Sequence, residues 1–359
     1  MTSLRTVEVV SVQQGLAEGG APLSGRRVLV TGATGALGPE VVAALVAAGA
    51  ILRTLQRTPT SAHGIEPRVG DLTMLDTLHP ALDGIDIVIH LAGLLHIANP
   101  PPSLADAYRR VNDEGTANLV RACEAAGVRR LVYTSTIAVY GRTEPGTPAR
   151  TETSPCAPDT PYAVTKLAGE RHALGATVSG GSSGVVLRLA AVYGAHVKGN
   201  YRRLVQSIAS GWYVPVGAGR NRRTLVHESD VARALVLAAT HPAAPGNVFN
   251  VTDGQVHQVR DIVVAIARAV DRRPPRLRVP VAIATVGATA IEALAGVARR
   301  TPPVTRAMLD KLLEDIAVDG RHLCGALGFA PQYGLTQGWQ QVVARMRQDG
   351  TLGRRSDAG

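Results

Sequence analysis

Thr31-Gly32-Ala33-Thr34-Gly35-Ala36-Leu37-Gly38 (TGATGALG) is the stretch from which the rest of the chain is read. Before it, Arg27–Thr31 is a short β-branched run; after it, Leu37–Ala48 is rich in alanine and valine at helical spacing. The octet is therefore a turn from a strand into a helix. Glycines there permit positive φ, let the backbone approach a pyrophosphate, and let helix and strand pack closely. The helix N-terminus adds free N–H groups and roughly half a unit of positive charge. Such a turn is expected to bind a dinucleotide through Gly32, Thr34, Gly35, Ala36, Leu37 and Gly38.

Working outward, the same alternation continues. Strands are predicted at Ile51–Leu55, Ile85–His90, Arg130–Ser135 and Gly184–Arg188, with helices at Asp113–Ala126 and Tyr162–Gly175 between them. That rhythm is the pattern of an α/β fold, a doubly wound parallel sheet with helices on both faces. Near Ala195 it loosens into Gly-, Arg- and Pro-rich loops, then resumes with a helix at Ser229–Ala239 and a strand at Asn247–Val251. The expected division is a flexible arm over 1–24, a dinucleotide-binding domain over 25–193 to which 225–255 returns, a smaller substrate-binding domain from 194–224 and 256–348, and a disordered tail over 349–359.

The end of the second strand is where a carboxylate commonly holds a ribose 2′-hydroxyl. Here it reads Leu55-Gln56-Arg57. Arg57 suits the 2′-phosphate of NADP and Gln56 a bare ribose, so NAD and NADP both stay open. Further on, Asp71 and Leu72 are placed to meet an adenine, and Leu91-Ala92-Gly93 offers a smooth backbone along the cofactor.

The catalytic candidates follow. Val132-Tyr133-Thr134-Ser135-Thr136 is a strand ending in a hydroxyl, and Tyr162 and Lys166 lie four apart in PYAVTK, on one face of a helix. A phenol with a pKa of about 10 is a poor base, and holding it as phenolate near neutral pH takes about 4 kcal/mol of differential stabilisation. An adjacent ammonium and a cationic nicotinamide both act in that direction. Thr136 is placed to hydrogen-bond the oxygen whose proton Tyr162 takes.

Composition removes other classes. The chain has 359 residues, is 45% hydrophobic and carries a net charge of +10, but only three of its 38 basic residues are lysine and the arginines are scattered among acids. Nucleic acid calls for clustered charge and stacking rings, and aromatics are only 3%. No nucleic-acid partner is expected; the charge suits an acidic small molecule. Cys123, Cys156 and Cys324 are far apart with no metal spacing, which predicts no metal and a reducing, cytoplasmic setting. Met1–Ser24 has no apolar signal core. Val281–Val297 is apolar but short of the ~20 residues of a membrane span, so it is read as a surface or core helix and no span is expected.

With these pieces assembled, the sequence resembles the extended short-chain dehydrogenase/reductase family, the NAD-dependent epimerases and dehydratases, and within it the UDP-glucose and UDP-N-acetylglucosamine 4-epimerases. The matching motifs are TGATGALG, GDL, HLAG, VNDEGT, TSTIAVYG, PYAVTK, LRLAAVYG and RRTLVHESDVARA, over about Arg26–Leu237, with Asp319–Gly338 similar to the family's closing segment. The resemblance implies a Rossmann-type sheet with a smaller C-terminal α/β substrate domain, Thr136, Tyr162 and Lys166 as triad, and a homodimer. It also implies Asn200 and Arg223 as contacts to a nucleotide diphosphate, for which a guanidinium fork is suited.

Within the family, 4,6-dehydratases carry Asp-Glu after the triad hydroxyl, decarboxylases a Glu, and the GDP-fucose synthase type a Cys. This chain has Ile137 and Ala138. What remains is hydride and proton transfer alone: a UDP-sugar 4-epimerase, or a 3β-hydroxysteroid-dehydrogenase-like oxidoreductase/isomerase or ketoreductase; a non-catalytic NADP-sensing relative is the alternative from another class. Asp230 is expected to cap the helix that follows it.

Overall fold

The computed structural model describes residues 21–58, 64–95, 104–178, 181–297, 309 and 313–353. In chain order its principal strands are β1 (Arg27–Thr31), β2 (Ile51–Gln56), β3 (Glu66–Val69), β4 (Ile87–His90), β5 (Arg130–Thr136), β6 (Gly184–Leu189), β7 (Ala191–Tyr193), β8 (Arg222–His227), β9 (Val248–Val251) and β10 (Val256–Gln258). The principal helices are α1 (Gly38–Ala47), α2 (Gly115–Ala125), α3 (Pro161–Gly175), α4 (Asn200–Ser210), α5 (Glu228–Thr240), α6 (Val259–Ala269), α7 (Val281–Val297), α8 (Arg321–Leu327) and α9 (Leu335–Gln348).

Seven strands pair in parallel in the order β9-β6-β5-β4-β1-β2-β3. Their near-continuous apolar runs are what a sheet covered on both faces requires. Alternate residues feed separate cores: Val28 and Val30 pack with Val41 and Leu45 of α1, whereas Leu29 packs with Leu78, Leu82 and Leu119 on the other face. The chain runs outward from β1 through β2 to β3 and then crosses back to β4 on the other side of β1, which makes the carboxyl ends of β1 and β4 the topological switch point.

β3 is missing from the sequence reading because Glu66-Pro67-Arg68-Val69 carries charges and a proline. It is an edge strand, where proline costs no ladder bond. A smaller sheet, β10-β8-β7, carries a third core in which Tyr193, Val205, Leu225, Ile266, Trp339 and Val343 meet. Leu225–His227 belong to this sheet; the return to the large one is made by α5, packed on α1, and by β9 on β6.

Of the expected N-terminal arm, 1–20 lies outside the described residues, and Ala21–Ser24 is docked: Leu23 is buried and its N–H donates to the Ala48 carbonyl. Of the expected tail, 354–359 lies outside them, and Leu352 is buried in the third core. Asp230 does not cap its own helix. His227 does that, accepting from the Ser229 N–H, while the Asp230 carboxylate receives the backbone N–H groups of Gln332 and Tyr333 and pairs with Arg233.

One polar seam ties the two sheets' helices together. Glu40 of α1, His196 and Glu228 of α5 bring one oxygen or nitrogen each to within 4.8 Å of one another. The Arg345 guanidinium of α9 donates to Glu40 at 3.2 Å, Ser229 Oγ donates to Glu40, and the Ala195 N–H donates to Glu228. The charge facing these carboxylates is thus the protein's own arginine.

Candidate active site

The sheet gathers the predicted residues at one end. Gly32, Thr34, Gly35, Ala36, Leu37 and Gly38 follow β1; Gln56 and Arg57 end β2; Asp71 and Leu72 follow β3; Leu91, Ala92 and Gly93 follow β4; Thr136 closes β5. All stand at carboxyl ends of parallel strands, on both sides of the switch point. In the glycine turn, Gly32 has φ +75°, and a Cβ on it would collide with the Ala92 backbone nitrogen. A Cβ on Gly38 would fall 1.9 Å from the Ala33 carbonyl oxygen, so α1 reaches β1 this closely only with glycine there. Thr34 and Gly35 face outward and exposed. This is a cradle shaped for a pyrophosphate, and the donor set fits a dinucleotide.

Gln56 donates to Thr54 Oγ1 at 2.9 Å, and Arg57 is exposed at the end of its strand. Asp71 folds into a local turn, accepting from the N–H and hydroxyl of Thr73. The turn after β4 is braced by His90, whose Nδ1 shares a 2.7 Å hydrogen bond with Thr31 Oγ1 and whose Nε2 shares one of 3.2 Å with Thr116 Oγ1. Full burial, with Lys166 near, pushes the His90 imidazole down to about 3, so it stays neutral and acts as a strut.

Thr160 Oγ1 accepts from the Ala163 N–H and so caps α3, which Pro161 starts. One turn apart on this helix, Tyr162 and Lys166 face β5. Thr136 is close enough to the Tyr162 phenol to favour its ionised form. Burial pushes the Tyr162 phenol up to about 12, against the influence of Thr136, and pushes Lys166 down to about 7, against the attraction of Glu170. The expectation that a neighbouring ammonium favours phenolate is thus outweighed in the protein alone by desolvation of both groups. Lys166 Nζ lies 4.1 Å from the centroid of the Tyr133 ring and borders Gly93 together with Asn112 Oδ1.

The sequence reading passed over two elements. Asn112 sits in a π-helical segment, Arg109–Glu114, that leads into α2. It clamps Leu94 by accepting from its N–H at 2.7 Å and donating to its carbonyl at 3.1 Å, which fixes the chain just past Gly93. The motif VNDEGT signalled the place but not the widened turn. The second is a buried network: Glu170, four after Lys166, is gripped by Arg188 through Nε and Nη2, accepts from Ser135, and connects through Arg188 to Tyr140 and Asn250. It fastens α3 to β5 and β6.

The two substrate candidates are elsewhere. Asn200 opens α4, exposed, next to partly buried Tyr201. Arg223 lies in β8 with Nη1 donating to the Glu314 and Arg222 carbonyls, close enough to Tyr201 to oppose the rise that burial imposes on that phenol, which stands at about 12. Arg222 is no free loop charge either: it pairs with Asp315 at 2.8 Å. Arg223 thus lies in the small sheet near Tyr201, the residue that follows Asn200.

Comparison with known proteins follows the same lines. Residues 28–252 match the model of the NAD-dependent epimerase/dehydratase family. The UDP-glucose 4-epimerase of Vibrio cholerae is 27% identical over 328 residues, 90% of this chain and 96% of that protein. A 3β-hydroxysteroid dehydrogenase/Δ5→4-isomerase of Mycobacterium tuberculosis is 31% identical over 272 residues, 70% of this chain and 72% of that protein. The solved structure of MoeE5 in complex with UDP-glucose and NAD superposes with a TM-score of 0.71 at 29% identity, covering 90% of this chain and 99% of MoeE5.

Proposed function

This chain belongs to the NAD-dependent epimerase/dehydratase family, enzymes of the extended short-chain dehydrogenase/reductase type, and on that premise we propose that it is a nucleotide-sugar epimerase of the UDP-hexose 4-epimerase kind. The observation that carries the reading is that Thr136 and Tyr162 come together at the end of β5, near enough for the threonine to oppose the rise of the phenol's pKa, with apolar Ile137 and Ala138 following where elimination would need an acid and a base.

NAD, when bound, supplies the acceptor and then the donor of the hydride at sugar carbon 4. The turn Gly32–Gly38 holds its pyrophosphate, Gln56 and Arg57 its adenosine ribose, Asp71 and Leu72 its adenine, and Leu91-Ala92-Gly93 its length, with Lys166 at the second ribose. Tyr162 removes the proton of the sugar 4-hydroxyl while Thr136 hydrogen-bonds the same oxygen. The 4-keto sugar turns over in place, presenting the other face of carbon 4 to the returning hydride, and Tyr162 gives the proton back to the same oxygen. Asn200 and Arg223 hold the diphosphate during that rotation, the guanidinium as a fork.

The test is to incubate folded, cofactor-loaded protein with UDP-glucose, UDP-galactose and their N-acetylated forms. Interconversion of one pair is expected; no conversion of any would overturn the reading. The Mycobacterium tuberculosis relative, together with the apolar helix α7, favours a second reading, oxidation of a sterol-like alcohol. Net NADH formation from such a substrate, with no sugar epimerised, would establish it instead.

A further inference from the structure

Exposed apolar side chains are concentrated in one place. The three most exposed large apolar residues among those described, Trp212 (85%), Leu277 (82%) and Val286 (70%), belong to this place, together with Ile283, Val214 and Val281. They share one surface because the loops that carry them are zipped together: the Gly217 N–H donates to the Val279 carbonyl and the Val279 N–H to the Pro215 carbonyl, both at 2.9 Å. Arg272 Nη1 comes up against Gly211, next to Trp212, and Val281 packs on Gly217.

α7 itself displays a stripe. Ala282, Ile283, Val286, Gly287 and Ala290 recur at helical spacing, all exposed, whereas Ala288 on the other side is buried. Glu292 is the single charge in the helix, and it lies off the stripe. A water-facing helix side with no polar residue but a threonine at its margin is anomalous for a surface that meets only solvent.

The charge beside it has one sign. Arg272, Arg273, Arg276 and Arg278 are exposed within seven residues, and none makes a side-chain ion pair or hydrogen bond among the described residues. The nearest acid, Asp271, is taken by Arg347 at 3.0 Å. Although arginines elsewhere are scattered, this loop is a cluster, and Trp212 stands at its edge. Apolar side chains that insert shallowly, a tryptophan at the boundary and a basic rim are the complementary features of an anionic lipid surface. No helix among the described residues is long and apolar enough to cross a membrane, so α7 would lie in the plane of the surface.

We propose that the α7 stripe and the arginine loop before it dock this chain on anionic lipid, with Trp212, Leu277, Ile283 and Val286 entering the headgroup boundary and Arg272, Arg273, Arg276 and Arg278 facing the phosphates. The proposal does not depend on which alcohol the active site oxidises.

The chain has two tryptophans, and Trp339 is fully buried, so Trp212 reports the contact. The full-length protein is mixed with phosphatidylcholine vesicles containing about 30 mol% phosphatidylglycerol and read by co-sedimentation and tryptophan emission. Expected are sedimentation with these vesicles, a blue shift that Trp212→Phe abolishes, and binding about tenfold weaker on pure phosphatidylcholine or at about 0.5 M salt. Ile283→Asp/Val286→Asp and Arg273→Glu/Arg276→Glu should each weaken binding about tenfold while melting temperature and NAD affinity are kept. No sedimentation with anionic vesicles at low salt, or binding indifferent to Ile283→Asp/Val286→Asp, overturns the proposal. So does self-association in ultracentrifugation that Ile283→Asp/Val286→Asp abolishes, which would assign the face to a second copy of the chain.

Discussion

The large sheet and the small one hold their polar residues by opposite means. At the carboxyl ends of β1, β4 and β5 the candidates sit on strands paired along both edges or on α3 packed against them, and behind them stand buried struts: His90 under the glycine turn, Asn112 beside Gly93, Glu170 one turn from Lys166. In the small sheet Arg223 leans on the backbone carbonyls of Glu314 and Arg222, and Asn200 opens a helix with no side-chain cap. The first arrangement suits the precise placement that the proposed proton transfer requires; the second leaves room for the side-chain adjustment that the proposed hold on a diphosphate would require. The contrast predicts that damage on the large sheet is read in turnover and global stability, and damage on the small one in substrate affinity.

The largest effect should come from the phenol. Tyr162→Phe removes the proposed proton acceptor and leaves the helix packing in place, so turnover should fall by about 10³-fold with cofactor affinity nearly unchanged. Steady-state kinetics with the converted substrate, beside a cofactor titration, checks it. Residual activity within tenfold of the unaltered protein would break the contrast at its root.

Next is the brace behind Lys166. Glu170 and Arg188 are both almost fully buried, and removing one partner leaves the other's charge without compensation. Glu170→Gln should cost about 3–5 kcal/mol of unfolding free energy in a urea titration. Because Glu170 opposes the fall of the Lys166 pKa, the neutral form of the amine should also gain ground around pH 7. Exchange of both partners, Glu170→Met with Arg188→Leu, should recover much of the loss in stability.

These two positions also mark how far the sequence alone could be read. Thr136, Tyr162, Lys166 and the glycine turn were legible because strand ends and helical spacing are local properties, written within a few residues of each other. The seven-stranded parallel sheet followed from the same alternation, apart from β3, whose edge position tolerates a proline that argues against a strand. The struts were not legible. Nothing near Glu170 names Arg188 as its partner, the role of Asn112 depends on one widened helical turn, and Asp230 serves a loop a hundred residues away. In the small sheet even the type of environment was hidden, because arginines that look like loop charges are held by carbonyls and acids of a segment far along the chain.

On the small sheet the corresponding substitution is Arg223→Lys. It keeps the charge but loses the planar fork, so KM for a nucleotide diphosphate sugar should rise about tenfold with turnover within a factor of three. Kinetics that instead lose turnover with KM unchanged would place Arg223 with the phenol and blur the division between the two sheets.

The smallest effect belongs to the seam where the two regions meet. His196 Nδ1 stands 3.7 Å from Glu228 Oε1, with Glu40, Arg345 and Asp349 as the other charges facing it. The Glu228 carboxylate lifts the imidazole above its ordinary value of 6.5, against partial burial and the repulsion of Arg345. A folded-state pKa above the unfolded one means that the folded protein holds the proton more tightly. The stabilisation is complete below about pH 6.5 and is lost as pH rises through the elevated folded value. With about a third of the side chain open to solvent, the contribution is under about 1 kcal/mol. Melting temperature should decline gently from about pH 6 to about pH 8, and His196→Gln should flatten that slope without changing turnover. If the slope survives the substitution, the proton that couples the two regions is held elsewhere, and the seam is a passive contact.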